Sequence, residues 1–238
     1  MDPRIKGIEL KLKNVKRIIP VVSGKGGVGK SMISTLIALN MAQRGDKVGL
    51  LDLDFHGASD HIILGYSPVT LPEEERGVIP PLVYGIKFMS IVFYTENKAI
   101  PLRGSEISDA LIEILTITRW DELDYLIIDM PPGLSEQFLD LLRFLKRGEY
   151  LVITTPSPLS QNVAAKVIDI LKEGKYPMLG IVENMVEDSS SSFPIPVVAR
   201  IPYIRNLDAM LGSVERLKKS ELMTHIDNLV KAIKERRG

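Results

Sequence analysis

The 238 residues predict an α/β fold, a mostly parallel sheet flanked by helices on both faces. Three observations predict it. Short apolar runs alternate along the chain with segments whose apolar residues recur at helical spacing. Several runs end in an acidic or polar residue (Asp54, Asp129, Thr155, Asn184), and sheets of this kind gather ligands beyond the carboxyl ends of their strands. A glycine-rich octet, Gly24-Lys25-Gly26-Gly27-Val28-Gly29-Lys30-Ser31, joins the first such run to a long helical segment.

Asp2 and Pro3 read as an N-cap and first helical residue, with Ile5, Ile8, Leu12 and Val15 at helical spacing behind them. Ile18 to Val22 is a buried strand. After the octet, Met32, Ile33, Leu36, Ile37, Leu39, Asn40 and Met41 form a helix that stops at Gly45. Lys47 to Asp54 is a second strand, apolar and then acidic. Phe55 to Pro81, with its glycines, prolines and the run Glu73-Glu74-Glu75, is expected to be surface structure with short elements. Ile86 to Val92 is another buried strand. Helices are expected over 105–118, 135–146, 160–171 and 219–236, and strands over 123–128, 150–154, 178–182 and 197–201. A polar loop runs through Ser189-Ser190-Ser191-Ser192. No internal repeat or linker is visible, so a single domain over 1–238 is expected.

Hydrophobic residues at 45% and charged residues at 25% are ordinary globular values. Lys+Arg and Asp+Glu both number 30, so no global field gathers nucleic acid and none is expected as a partner. The sequence holds no apolar run of membrane-spanning length, and Met1 to Lys6 lacks the apolar core of a secretion signal. A cytoplasmic protein is expected. Cysteine is absent, which excludes disulfides, zinc–cysteine sites, thiolate-held iron–sulfur clusters and thiol nucleophiles from these residues.

The octet satisfies G-x-x-x-x-G-K-[ST], the phosphate-cradling loop. Glycines let the backbone turn so that successive N–H groups point inward as an anion nest, and the following helix start adds its partial positive charge. Lys30 then reaches the β- and γ-phosphates, and the Ser31 hydroxyl takes a place on Mg²⁺. The backbone from Gly26 through Gly27, Val28, Gly29 and Lys30 to Ser31 and Met32 is the expected cradle for ATP or ADP. The C-terminal residues Ile226, Leu229, Val230 and Ile233 form an apolar stripe beside Lys231, Lys234, Arg236 and Arg237. Packing on the domain is the favoured reading for it over membrane contact. His56, His61 and His225 are the only imidazoles, too scattered to read as a metal site.

With the loop and the strand-end acids together, the chain resembles the deviant Walker A ATPases, a group that includes MinD, ParA, the nitrogenase iron protein and the Mrp-type metal-cluster carriers. The mark of that group is a lysine just after the first glycine, here Lys25. The Mrp branch is the most similar, through Val48-Gly49-Leu50-Leu51-Asp52-Leu53-Asp54, Met89-Ser90-Ile91, Arg103-Gly104, Leu123 to Asp129, Pro131-Pro132-Gly133, Thr154-Thr155-Pro156 and Val182-Glu183-Asn184-Met185. The resemblance implies a homodimer in which Lys25 touches the partner's nucleotide, as an added positive charge on the developing phosphoryl charge. It implies that Asp129 holds Mg²⁺ through water, that Asp54 orients the attacking water and that Asp52 supports the metal shell, although a strand-end aspartate can also be a helix cap. The Gly133 N–H is implied near the γ-phosphate, and Asn184 with Pro202 at the adenine. ATP over GTP follows the same likeness, since no Asn-Lys-x-Asp motif is present.

Two departures stand out. Mrp-type carriers place a Cys-x-x-Cys pair soon after the Glu-Asn-Met segment, where this chain reads Val186-Glu187-Asp188-Ser189-Ser190-Ser191-Ser192-Phe193. Leu134 replaces a usual threonine, and His56 sits in the first switch. An Mrp-like engine without cluster ligands is similar to the archaeal ATPase-type HypB of [NiFe]-hydrogenase maturation. That likeness implies nickel delivery with the chaperone HypA and, through it, the hydrogenase large subunit. The alternatives are an iron–sulfur assembly ATPase lacking its own cluster ligands, or a spatial regulator of the MinD or ParA kind.

Overall fold

Strands covered on both faces need no polar face, which is why they read as unbroken apolar runs in this sequence. A computed structural model of the protein describes residues 3–55, 57–67, 71–95, 104–187 and 193–236. In chain order the elements begin with α1 (Pro3–Leu12), β1 (Val15–Ser23), α2 (Lys30–Gln43), β2 (Val48–Asp52) and α3 (Asp60–Ile63). The short strands β3 (Glu73–Glu74), β4 (Val78–Ile79) and β5 (Leu82–Val83) precede β6 (Ile86–Ser90), α4 (Val92–Thr95) and α5 (Gly104–Ile117). Then come β7 (Leu123–Asp129), α6 (Glu136–Phe144), β8 (Tyr150–Thr154), α7 (Pro158–Glu173), β9 (Met178–Val186) and β10 (Val197–Pro202). A 3₁₀ turn (Leu207–Met210), α8 (Val214–Lys218) and α9 (Glu221–Glu235) close the described chain.

The main sheet has eight strands in the order β10-β9-β8-β1-β7-β2-β6-β5, parallel except for the β5–β6 edge. β1 therefore lies inside the sheet, between β7 and β8. Register does the positioning that matters. Val21 is level with Asp129 across β1 and β7, and Asp52 is level with Asp129 across β2 and β7. Residues level with one another on neighbouring parallel strands share a face, so two carboxylates stand side by side at the carboxyl edge.

Helices α1, α5 and α6 pack on one another, while α2 packs on α3 and α9. Trp120, Tyr150, Phe88 and Phe138 are the bulkiest side chains of the core, all with no more than a trace of surface. The C-terminal stripe packs on the protein: Ile226, Leu229, Val230 and Ile233 are buried, with α9 seated on α2 and β10. Among the described residues no helix is long and apolar enough to cross a membrane.

Three local outcomes differ from the sequence reading. Within the segment expected to be surface structure, α3 buries Asp60 and its following Leu64 completely. Glycines, prolines and glutamates around it dilute the signal of a four-residue helix. β6 ends at Ser90, whose hydroxyl accepts from the Val92 N–H and turns the chain into α4. The 3₁₀ turn and α8 have too few residues to show a period. Asp2, the expected cap of α1, lies outside the described residues.

One polar clamp fastens α9 to α2. Asp227 accepts from Asn40 Nδ2 (3.0 Å) and from the Arg44 guanidinium. These hydrogen bonds, Asn40 first, hold its carboxyl at about 2 instead of 3.8. A depressed carboxyl contributes stability that is complete above its unfolded value and lost as pH falls. Asp227→Asn should therefore cost ~0.5–1 kcal/mol at neutral pH, the range for an exposed charged pair. Urea midpoints should show the gap between variant and wild type closing as pH falls from about 4 to about 2. A gap that persists in acid would show that the clamp acts without its charge.

Candidate functional site

The glycine loop forms where β1 ends. Gly24 passes so close to α7 that an added Cβ would sit 2.7 Å from the Val163 backbone, so no larger residue fits without shifting the helix. Gly27 and Gly29 take φ of 77° and 84°, left-handed values that favour glycine. Val28 is buried and pins the loop from beneath, whereas Gly26 and Gly27 are exposed at its crest, with open space above them. α2 starts directly at Lys30 with 14 residues, and the Gly29 carbonyl accepts its first turn's bond from Ile33. The loop thus presents backbone N–H groups and a helix start to one open volume.

Under the loop is an acidic floor. Asp129, wholly buried, accepts from Lys30 Nζ (2.7 Å) and Ser31 Oγ (2.7 Å) on one oxygen and from Ser34 Oγ (2.8 Å) on the other. Burial works against the Lys30 charge, yet the Asp129 carboxylate outweighs it and leaves the ammonium above the usual lysine value. Asp52, beside Asp129 by register, accepts from the Asp54 N–H (3.1 Å) and from Ser90 Oγ (3.4 Å). Burial, and then the Asp129 charge, push its carboxyl up to about 7.

A third carboxylate escaped the sequence reading. Asp60, wholly buried at the start of α3, accepts from Thr35 Oγ1 (2.9 Å) through Oδ1, while Oδ2 has no partner among the described residues. Oxygens of Asp52, Asp60 and Asp129 lie within 4.8 Å of one another. Burial first, then Asp129 and Asp52, drive the Asp60 carboxyl well above its usual value. The only trace in the sequence is an acid two positions before the run Ile62-Ile63-Leu64, with His61 between, a pattern that also reads as a helix start.

The remaining expected residues fall around this floor. Lys25 is half-buried, makes no side-chain hydrogen bond or ion pair among the described residues, and lines a cleft of about 580 Å³ with Gly27, Thr155, Pro156, Met185 and Glu187. Asp54 lies just past β2, its Oδ1 accepting from the Gly57 N–H (3.0 Å). Gly133, at φ 80°, donates its N–H to the Ser23 carbonyl (2.9 Å), so the second switch is tied to the end of β1. Asn184 donates from Nδ2 to the Val28 carbonyl (2.9 Å) and lies over Gly29. It borders a cavity of about 240 Å³ with Met32, Pro202, Tyr203, Leu207 and Asp208. One amide hydrogen of Asn184 is thus used on the loop, and its second amide hydrogen and Oδ1 are what it can offer a ligand.

The histidines are not gathered. His61 is buried, with Nδ1 lacking a partner among the described residues, and burial lowers its pKa. His225 lies beside Glu221 on α9 (3.9 Å), and His56 lies outside the described residues.

Residues 14–193 match the family described as ParA: NUBPL iron-transfer P-loop NTPase. The iron–sulfur cluster carrier protein of Rickettsia bellii is 39% identical over 223 residues, covering 88% of this chain and 70% of the relative. The iron–sulfur cluster carrier protein of Saccharolobus solfataricus is 38% identical over 201 residues, covering 83% and 66%. The chain therefore spans about two thirds of the length of these relatives. A solved nucleotide-binding protein from Archaeoglobus fulgidus, in complex with ADP, is 30% identical with a TM-score of 0.76, covering 92% of this chain and 95% of that one. These relatives are named for iron–sulfur carriage, which favours the iron–sulfur alternative, and neither nickel delivery nor HypA and the hydrogenase large subunit gains support from them. By the glycine loop, by its buried acids and by the match over residues 14–193, the chain belongs to the MinD/ParA/Mrp-type P-loop NTPases, in their NUBPL iron-transfer branch.

Proposed function

We propose that this chain is a Mg²⁺-dependent ATPase, one domain over 1–238, whose nucleotide-gated homodimer serves iron–sulfur cluster assembly. The observation that carries the reading is Lys30 folded onto Asp129, with Ser31 on the same carboxylate oxygen, directly beneath an open glycine loop. Triphosphate oxygens entering the loop offer Lys30 a second anion, and Lys30 exchanges Asp129 for the β- and γ-phosphates. Backbone N–H groups from Gly26 to Met32 hold those phosphates, while Asn184 and Pro202 border the space for adenine.

The donors fit a hard divalent cation, being all oxygen: the Ser31 hydroxyl with Asp129 and Asp52. Bound there, Mg²⁺ supplies positive charge against the phosphate oxygens. Asp54 orients the water that attacks the γ-phosphorus, and the bond to the β–γ bridging oxygen breaks to release ADP and phosphate. Lys25, unengaged in its own cleft, reaches the partner subunit's nucleotide and meets the charge that develops there. Gly133 leaves Ser23 for the γ-phosphate and returns after hydrolysis, turning phosphate loss into movement of 131–135.

The relatives' names support an iron–sulfur role, and the absence of cysteine shapes it. With no thiolate in these residues, a cluster would be held by thiolates outside them, and this chain would provide the nucleotide-driven change of shape. The segment where Mrp-type carriers have cysteines falls largely on 188–192, outside the described residues.

Lys30→Ala should weaken ADP by about a hundredfold or more in calorimetry, the loss of a charge-assisted phosphate contact set. Affinity within a few-fold of wild type would refute the phosphate assignment. Lys25→Ala should hold ADP nearly as wild type yet lower steady-state phosphate release at least about tenfold, and full turnover would remove the trans role. For the cargo, a cluster-loaded thiol scaffold and an apo iron–sulfur enzyme are mixed with this protein. ATP should speed reactivation with wild type and not with Lys30→Ala; equal rates would sink the iron–sulfur reading while leaving the ATPase reading intact.

A further inference from the structure

We propose that Asp60 supplies a third carboxylate to the divalent-cation site, directly or through the ion's water shell. The inference rests on the nucleotide reading above and adds a ligand to it. A buried carboxylate normally has both oxygens satisfied, yet Asp60 Oδ2 has no partner among the described residues and the residue has no exposed surface.

A helix-capping role does not explain it. Ser59 holds the cap position of α3 and makes no side-chain cap bond, and the hydrogen bond that the Asp60 side chain accepts comes from Thr35 on α2. That hydroxyl engages Oδ1, and a carboxylate oxygen of Asp60 lies within 4.8 Å of oxygens of Asp52 and Asp129. Lys30 is the cation that offsets all three, and it is bonded to Asp129.

Nucleotide binding sharpens the point. When Lys30 moves to phosphate, three buried carboxylates share one small volume with their counter-charge shared away. A divalent cation with oxygen ligands removes that imbalance, and a buried carboxylate beside the other two with one oxygen unpartnered is a ready ligand. The arrangement makes cation and nucleotide binding interdependent: the phosphates draw Lys30 off the acids, and the acids then hold the metal.

The test uses Mn²⁺ as an EPR-visible probe on the full chain saturated with ADP. Asp60→Asn keeps the shape and removes the charge, and should weaken Mn²⁺ at least about tenfold, the loss typical of a site's supporting ligands. ADP affinity measured in EDTA should stay within about twofold, since Asp60 touches no phosphate-binding group of the loop. The melting temperature in EDTA should hold or rise, because a buried charge is gone, and the gain on adding Mg²⁺ and ADP should shrink. Wild-type Mn²⁺ affinity with intact ADP binding would overturn the proposal. ADP failing to bind wild type would sink the nucleotide reading instead. If Asp60→Asn does not fold, Asp60→Glu keeps the charge and shifts the oxygens by a methylene. It should change Mn²⁺ affinity at least about threefold, and an unchanged value would equally overturn the proposal.

Discussion

The buried pair of Lys30 and Asp129, 2.7 Å apart, is the contact on which the resting site depends. An ammonium 5% exposed and a carboxylate with no exposure cannot both stay charged without each other. The pair sets the state of its surroundings: it orders Ser31 and Ser34 on the same carboxylate, and it leaves the glycine loop with backbone donors and no filled cation of its own. A ligand able to replace Asp129 in the eyes of Lys30 must bring concentrated negative charge, which a polyphosphate does and a neutral metabolite does not.

Sheet register is what makes this contact possible. With β1, β7 and β2 adjacent, the loop, the Asp129 edge and the Asp52 edge meet at one end. Ser23, the last residue of β1, then takes the Gly133 N–H, so both sides of the loop are tied to the same strand end. α2 carries the connection further: its first turn gives Lys30, Ser31 and Ser34, its next residue Thr35 holds Asp60, and its far end is clamped to α9 through Asn40, Arg44 and Asp227. Movement of Lys30 therefore acts on a helix that is anchored at both ends.

Much of this was legible before any coordinates. The strand–loop–helix unit, the parallel sheet, and the strand-end places of Asp129 and Asn184 follow from glycine spacing and strand-end residues, because each is a short-range pattern, whereas Asp52 and Gly133 enter through the family resemblance. Strand order was not legible, since register between strands distant in sequence leaves no local mark. Asp60 stayed hidden for a related reason. Its partners, Thr35, Asp52 and Asp129, come from three other elements, and its own four-residue helix shows no period. The Asn184 contact to Val28 and the Gly133 contact to Ser23 are also tertiary: the residues were readable, the bonds they make were not.

The nickel expectation gained no support from the relatives, and the physical reason is different. Absence of cysteine limits what these residues can ligate, but a ligand set that is missing carries no positive information about which metal replaces it. The nickel expectation rests on a likeness together with a missing motif, and a missing motif excludes without selecting. The phosphate loop and its acids lie at the strand ends of β1, β2 and β7, and Met185 of β9 with the following Glu187 lines the Lys25 cleft from the other side of β1. With no cysteine in the sequence, none of the contacts that Lys30, Ser31 and Ser34 make to Asp129 depends on a thiolate, so the acidic floor is complete whatever the chain carries.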